Sequence, residues 1–455
     1  MRAFLCVLTV LATAAQAQAP GPGGDAAGFD IIHDVPPVQS IAIDAATGGL
    51  FAAVAPDGEG SGSAIVQWRL DPVRRAALWQ TETIVSDIEI TPAGLVYAAG
   101  QRAARPGGPA GSRSGMVITL DPARPADPPA VFISFPDNAR VDFPRYSQAA
   151  HDGGERIFVT TPTQFTVAGY PERPFHPGET PHELRLRCGV PAQFSLFGPP
   201  DRPGYVASTA DGALLEAGLV QPDPAAASPG GCFRVANVFS KDAPATLNSV
   251  VHAVLADAGG TADAVLALEP NTGTLDLLRL DGGTQQLSRA GSADLGAGDG
   301  AFTLLAASRD GSVIFVGGPG QEGILRFRRE GDGLARAGTL WTGTGLRQIE
   351  VSADGRLAVL VIRDARGLDR IHLIRAPGAL ADGAAGLPPG GDSLRLIQSA
   401  LNEAGFAVGP ADGIPGPRTA AAISKAMARE TRIESGGFDV KSMIEGVFMT
   451  PPAGK

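Results

Sequence analysis

The chain is poor in cysteine, with three among 455 residues. So few exclude a disulfide-built scaffold or a cysteine-rich zinc module. Aromatic residues make up only 6 % of the chain and charged residues 18 %, and no run of Lys and Arg occurs. The formal charge is −10. Without clustered cations to neutralise phosphates, nucleic acid is not expected as a partner. Past the first residues no apolar run is long enough to span a bilayer, so no membrane span is expected either. The sequence also lacks a G-x-S-x-G elbow, H-E-x-x-H, a phosphate-binding loop and C-x-x-C. No catalytic residue, metal ligand set or cofactor is therefore assigned.

Glycine (60) and proline (38) are abundant and scattered among apolar runs, which describes a turn-rich β protein rather than disorder. The length points to two domains or one large repeat array. Residues 1–19, MRAFLCVLTVLATAAQAQA, read as a secretory signal peptide. Arg2 is the charged start, Ala3 to Ala14 the apolar stretch, and Ala15-Gln16-Ala17 the cleavage site. The expected location is the periplasm or the extracellular space, after cleavage near Ala17. Cys6 lies early in the apolar stretch, which does not read as a lipidation site. That leaves Cys188 and Cys232, which an oxidising compartment permits to pair. Sequence leaves the pairing open, because the two are too far apart to bridge if they sit at opposite faces.

A hairpin recurs along the chain. It appears in SIAIDAATGGLFAAVA (40–55), DIEITPAGLVYAAG (87–100), AAHDGGERIFVTT (149–161), LLAASRDGSVIFVGG (304–318) and IEVSADGRLAVLVI (349–362). Less regular copies span 194–209 and 249–269. Each pairs two apolar runs around a Gly turn, which supplies the positive φ that tight hairpins need. Further strands follow, AIVQWRL (64–70) and AALWQTE (76–82) in the first unit, GILRFRR (323–329) and ARAGTLW (335–341) in the sixth. Four strands per unit is blade architecture. The seventh unit offers only three strands, and FDIIHDV (29–35) is the candidate for its missing one, closing the ring. Residues 29–377 thus resemble a seven-bladed β-propeller of the WD-repeat-like or TolB/YVTN-like kind, on the S-x-D-G-x-x-hydrophobic turns. A β-sandwich of the same hairpins is the competing architecture.

APGALADGAAGLPPGGD (376–392) reads as a linker, assigned to 378–391. Beyond it the apolar period becomes helical, with Leu394, Ile397 and Leu401 on one face and a second helix from about Arg418 to Arg429. A third short helix is expected within GGFDVKSMIEGVFMTPPAGK (436–455). Leu394, Ile397-Gln398, Leu401, Gly405-Phe406, Asp412-Gly413, Gly416, Thr419 and Ala422-Ile423 stand in the order and spacing of the peptidoglycan-binding-like domain. Residues 392–455 resemble that family, departing from it at Ala426-Met427 and Pro415. The expected fold class is therefore mainly β, a seven-bladed propeller with a small all-α three-helix C-terminal domain. The resemblance implies peptidoglycan as partner, through Phe406, Asp412, Arg418 and Thr419. The plainer reading makes Phe406 core and Arg418 a solvated charge.

Of the six histidines, His176 and His182 stand with Glu179 and Glu183 in a Pro-rich loop, and His151, Asp152 and His252 fall on expected inner strands or turns. Two functions stay open. One is an exported, non-catalytic envelope protein, whose propeller is an interaction platform for envelope proteins and whose C-terminal module holds it at the peptidoglycan. The alternative is a secreted propeller hydrolase, lactonase-like, with a metal in the central channel.

Overall fold

The computed structural model describes residues 28–44, 47–55, 62–90, 94–103, 113–135, 157–161, 164–168, 182–184, 191–197, 204–209, 214–219, 231–234, 250–257, 261–270, 272–296, 302–321, 323–342, 344–364, 366–380 and 383–386; C-terminal to these it describes 398, 401–402, 405–406, 408–410, 418, 421–422, 425, 434–435 and 438–439.

Seven successive antiparallel sheets form the blades of a β-propeller. Blade 1 runs Val38–Asp44, Gly49–Val54, Ser63–Leu70 and Val73–Thr81 from the inside outward. Blade 2 runs Thr83–Ile90, Val96–Ala103, Arg113–Leu120 and Ala130–Phe135. Blade 3 shows three described strands, Ile157–Thr161, Gln164–Ala168 and His182–Leu184. Ile157–Thr161 pairs with Gln164–Ala168, while residues 149–156, with the DGGE turn of the expected hairpin, lie outside the described residues. Blade 4 holds Pro191–Phe197, Gly204–Thr209, Leu214–Leu219 and Gly231–Arg234. Blade 5 holds Val251–Ala256, Ala262–Glu269, Thr274–Leu280 and Leu287–Asp294. Blade 6 begins Leu304–Ala307, Ile314–Gly317, Gly323–Glu330 and Gly333–Trp341. Blade 7 contributes Leu346–Val351, Leu357–Arg363 and Asp369–Arg375. Its outermost strand is Gly28–Val35, paired antiparallel with Asp369–Arg375. The start of the described chain thus closes the ring, as the three-strand count at the seventh unit implies.

The two-residue period of a strand explains the core. Alternate side chains leave a sheet on opposite faces, and in a propeller each face meets a different neighbour. In blade 1, Leu50, Ala52, Val66 and Trp68 pack on Val359, Val361, Ile371 and Leu373 of blade 7. The intervening Phe51, Ala53 and Ile65, with Trp79, pack on Val85, Ile88, Val96 and Ala98 of blade 2. Similar clusters join blades 4 and 5, 5 and 6, and 6 and 7. The middle strand Gly49–Val54 is consequently apolar throughout, and all six of its residues are buried. The outer strand Leu287–Asp294 instead has no fully buried residue.

Two C-terminal expectations need correction. Part of the linker is a strand: Gly383–Gly386 adds in parallel to Gly333–Trp341, making blade 6 five-stranded. Its Gly-Ala-Ala-Gly sequence carries no β-branched or aromatic residue of the kind that favours strands. The described residues do not support the expected three-helix domain either. Among the described residues beyond 386, helical conformation falls only at 398, 401–402, 418, 421–422 and 425. Of 436–455, where a third helix is expected, only Phe438–Asp439 is described, and it pairs as a strand with Glu434–Ser435. The physical reason is Gly436-Gly437, a two-residue connection of the kind that favours hairpins and carries a large helix penalty. The turn at Gly405 does match expectation. Its φ is +85°. Its N–H donates to Asn402 O (3.0 Å) and that of Phe406 to Leu401 O (2.7 Å). That is the double bond pattern that ends a helical turn at a glycine.

Candidate functional site

The turn between the first two strands of each blade and the turn between its last two lie at one end of the sheet. Here this end is called the hairpin face. Two of its turns are near-copies. In S-R-D-G-S-V, Ser308 Oγ donates to Asp310 (2.7 Å), and Asp310 accepts the Ser312 N–H (2.9 Å). Ser308 Oγ also accepts the Val313 N–H (3.0 Å), and Gly311 has φ +72°. In S-A-D-G-R-L, Ser352 Oγ donates to Asp354 (2.7 Å), Asp354 accepts the Arg356 N–H (3.1 Å), and Ser352 Oγ accepts that of Leu357 (2.9 Å). Partial burial works to raise both carboxyl pKa values, but the hydrogen bonds from Ser308 and Ser352 and the backbone N–H groups outweigh it, leaving both below the usual range.

These turns are also joined from blade to blade. The Arg309 N–H donates to Ala353 O (2.9 Å), and Arg309 O accepts the Ala256 N–H (2.7 Å). Blades 5, 6 and 7 are thereby linked main chain to main chain. Side-chain loss alone does not loosen such a face.

The closure between blades 7 and 1 is polar as well as apolar. Asp369 is fully buried and takes both oxygens' worth of a fork from Arg363, at 2.8 and 2.9 Å. It also accepts the Val38 N–H at 2.6 Å, which ties blade 7 to the first inner strand. Arg375 pairs with Asp30, and Arg366 bridges Asp34 and Asp364. Burial works to raise the Asp364 pKa, but the Arg366 side chain and the Leu368 and Arg366 N–H groups prevail and hold it low. Gln348 Nε2 donates to Gln39 O across the same joint (2.7 Å).

Between blades 5 and 6 lies a cavity of about 240 Å³, lined in part by Asp263, Arg279, Arg329 and Asp332. Arg329 forks onto Asp263 at 2.8 and 2.6 Å, and Arg279 pairs with Asp332. All four charges are compensated across the joint, so this cavity is a stitched seam. A Cβ at Gly291 would stand 2.8 Å from Asp332 O, so blade 5 needs glycine there to let the blade 6 hairpin approach.

Blade 1 differs. Its outer hairpin, W-R-L-D-P-V-R-R, carries Arg69, Arg74 and Arg75, all exposed. Arg69 and Arg74 are direct cross-strand partners, and Arg75 stands opposite Trp68. Among the described residues none hydrogen-bonds or ion-pairs with these three arginines. Arg375 reaches the same corner, donating to Leu70 O. Sequence reading missed this group, because no cation run exists and only the Asp71-Pro72 turn brings the arginines together. The available signal was three arginines within seven residues flanking that turn.

The residues singled out from sequence fare differently. Phe406 is buried (7 % exposed) with Leu401, Val408 and Ala422, so its ring presents little face to a sugar. Arg418 is exposed, while Asp412 and Thr419 lie outside the described residues. His252 is fully buried, its Nε2 3.1 Å from Val206 O of blade 4 and its N–H bonded to Gln193, so it sits between blades rather than in the channel. His151, Asp152, His176 and Glu179 lie outside the described residues, as do the side chains of His182 and Glu183. Among the described residues no three His, Cys, Asp or Glu are grouped to hold a metal. Cys232, on the outer strand of blade 4, is disulfide-bonded; Cys188 lies outside the described residues.

No family model matches the chain, and no curated protein matches it. Solved structures do. U3-55K aligns with a TM-score of 0.53 at 10 % identity, over 76 % of this chain and 98 % of that one. The RRP9 WD40 repeats align at 0.52 and 10 %, over 76 % and 97 %. The Cps50 (Swd1) β-propeller domain of Myceliophteria thermophila aligns at 0.53 and 10 %, over 76 % and 99 %. Likeness at this identity establishes the fold, a β-propeller of the WD-repeat type. None of these likenesses supports a peptidoglycan-binding domain.

Proposed function

We propose that this protein is a binding platform for protein partners, which it engages through the hairpin face of the propeller. The observation that carries this reading is the main-chain linkage of the turns of blades 5, 6 and 7 through Arg309. Binding is strengthened when loops are held in place beforehand, because ordering them then costs little. The shared turn geometry at Ser308–Val313 and Ser352–Leu357 supports the same reading, since it fixes Asp310, Arg356 and their neighbours at a rigid rim. The signal-like residues 1–19 support export to the periplasm or beyond. The motif positions between Leu394 and Ile423 support a wall contact by the C-terminal region, with exposed Arg418 as its charged contributor.

The test uses the full chain in its native host. A photo-crosslinking residue placed at Arg309 or Arg356 is expected to give discrete protein adducts, while one at exposed Ser292, away from the turns on the outer strand of blade 5, gives none. Adducts from all three positions alike, or from none, would overturn the platform reading. The wall contact is tested separately by co-sedimentation with purified insoluble peptidoglycan. The full chain is expected to pellet and Arg418→Glu to pellet less. A full chain that stays in solution removes the wall contact and leaves the platform untouched.

A further inference from the structure

We infer that the outer hairpin of blade 1 is a docking site for a carboxylate-rich segment of a partner protein, centred on Arg69, Arg74 and Arg75. The inference rests on the platform reading and names the chemistry of one contact.

The argument starts from what the hairpin does to itself. Like charges directly opposite each other on two strands destabilise the pair. Arg69 and Arg74 are such a pair, and among the described residues neither has a partner to offset the repulsion. Arg75 adds a third positive charge one residue on. The nearest carboxylate in sequence is Asp71 at the turn, and Asp30 is taken by Arg375. The corner is therefore net positive in a chain whose formal charge is −10.

The corresponding hairpin of blade 6 handles the same residue type in the opposite way. There Arg328 pairs with Glu330 at 2.8 Å, and Arg329 with Asp263. Two further exposed arginines of the ring are paired, Arg289 with Asp276 and Arg366 with Asp34. Arg309, Arg336 and Arg347 are also exposed with no carboxylate partner among the described residues, but each stands singly, whereas Arg69 and Arg74 face each other across two strands.

The chemistry of the site selects its ligand. A guanidinium presents a planar fork of donors that matches a carboxylate in two parallel hydrogen bonds. Three forks on one hairpin suit a short segment with two or three Asp or Glu. A long polyanion would run off the patch onto an acidic molecule and be repelled there.

The experiment uses the full mature chain and a fluorescent ten-residue peptide alternating Asp, Glu and Gly as the probe. Fluorescence anisotropy is expected to show saturable binding. The triple variant Arg69→Gln, Arg74→Gln, Arg75→Gln is expected to weaken it by about tenfold or more. A control triple variant at compensated positions, Arg102→Gln, Arg279→Gln, Arg289→Gln, is expected to stay within about twofold, since it removes similar charge without removing the patch. Thermal melting confirms that both variants fold. Equal loss in the two variants would mean general charge attraction and overturn the site. So would unchanged binding in the patch variant, or tighter binding of polyphosphate than of the peptide. If the probe fails to bind while crosslinks form from Arg309 and Arg356, this inference falls and the platform stands. If neither is seen, both fall.

Discussion

The outer hairpins of blades 1 and 6 occupy equivalent places in the ring and carry similar sequences, W-R-L-D-P-V-R-R and F-R-R-E-G-D-G-L-A-R. In both, an aromatic residue is buried beside a register shift: Trp68 in one, Phe327 in the other. The difference is in the charges. Glu330 and Asp332 in the blade 6 turn, with Asp263 from blade 5, compensate Arg328, Arg279 and Arg329. Blade 1 has one turn carboxylate, Asp71, and a like-charged pair across its strands. One hairpin uses arginine to bind the ring together, and the other presents arginine outward. The same side chain is structural or available according to what the neighbouring blade offers it.

The strongest challenge to this comparison is at the closure, where pairing is most buried. Arg363→Met leaves the fully buried Asp369 with only the Val38 N–H. An uncompensated buried carboxylate of this kind costs about 3–5 kcal/mol. Urea unfolding of the full chain should show a lower midpoint with an unchanged slope.

A second effect is set by pH. His372, on the strand that receives the closing strand, has its pKa pushed down to about 3, by burial first and then by the Arg370 and His33 charges. The unfolded chain takes up that proton near pH 6.5, whereas the folded one does so only near 3. Stability therefore falls as pH drops through this window, by at most about 1.4 kcal/mol per pH unit. His372→Leu should flatten the profile between pH 6.5 and 4.5. The depressed carboxylates Asp310, Asp354 and Asp364 lose their contribution only at lower pH, below the ordinary value of 3.8.

Asp263→Asn breaks the half-buried fork between blades 5 and 6, and the expected loss is smaller, about 0.5–1 kcal/mol. The mirror-image test is on blade 1. Arg74→Glu places a carboxylate opposite Arg69 and should stabilise the protein by about 0.2–1 kcal/mol, while weakening the acidic probe. A loss of stability there would show that Arg69 and Arg74 are compensated in solution, and the contrast between the hairpins would disappear.

Much of the ring was legible in the sequence. Gly turns between apolar runs are local signals, and their recurrence marked the blades. The need to cover the open edge of the seventh unit pointed to the strand now seen at Gly28–Val35. Less was legible at the C-terminus. Gly383–Gly386 carries no strand former, and its conformation comes from an edge 45 residues upstream in pairing. The third helix was expected with the resemblance to a three-helix family, while Gly436-Gly437 favoured a hairpin. His252 looked like a channel residue because an inner strand has a side facing the axis and sides facing its neighbours. Only packing against Val206 and Gln193 decides between them.

By itself the sequence determined the repeating unit, because strand period and positive-φ turns are properties of a few neighbouring residues. It also set the two-sided apolar pattern that lets each blade pack against two others. Tertiary structure alone decided which charges meet. Asp369 reaches Val38 across 331 positions of chain, and Arg69 and Arg74 face each other across one hairpin with no partner among the described residues. Pairing of charges depends on distances of a few ångströms between segments remote in sequence, and those distances exist only once the ring has closed.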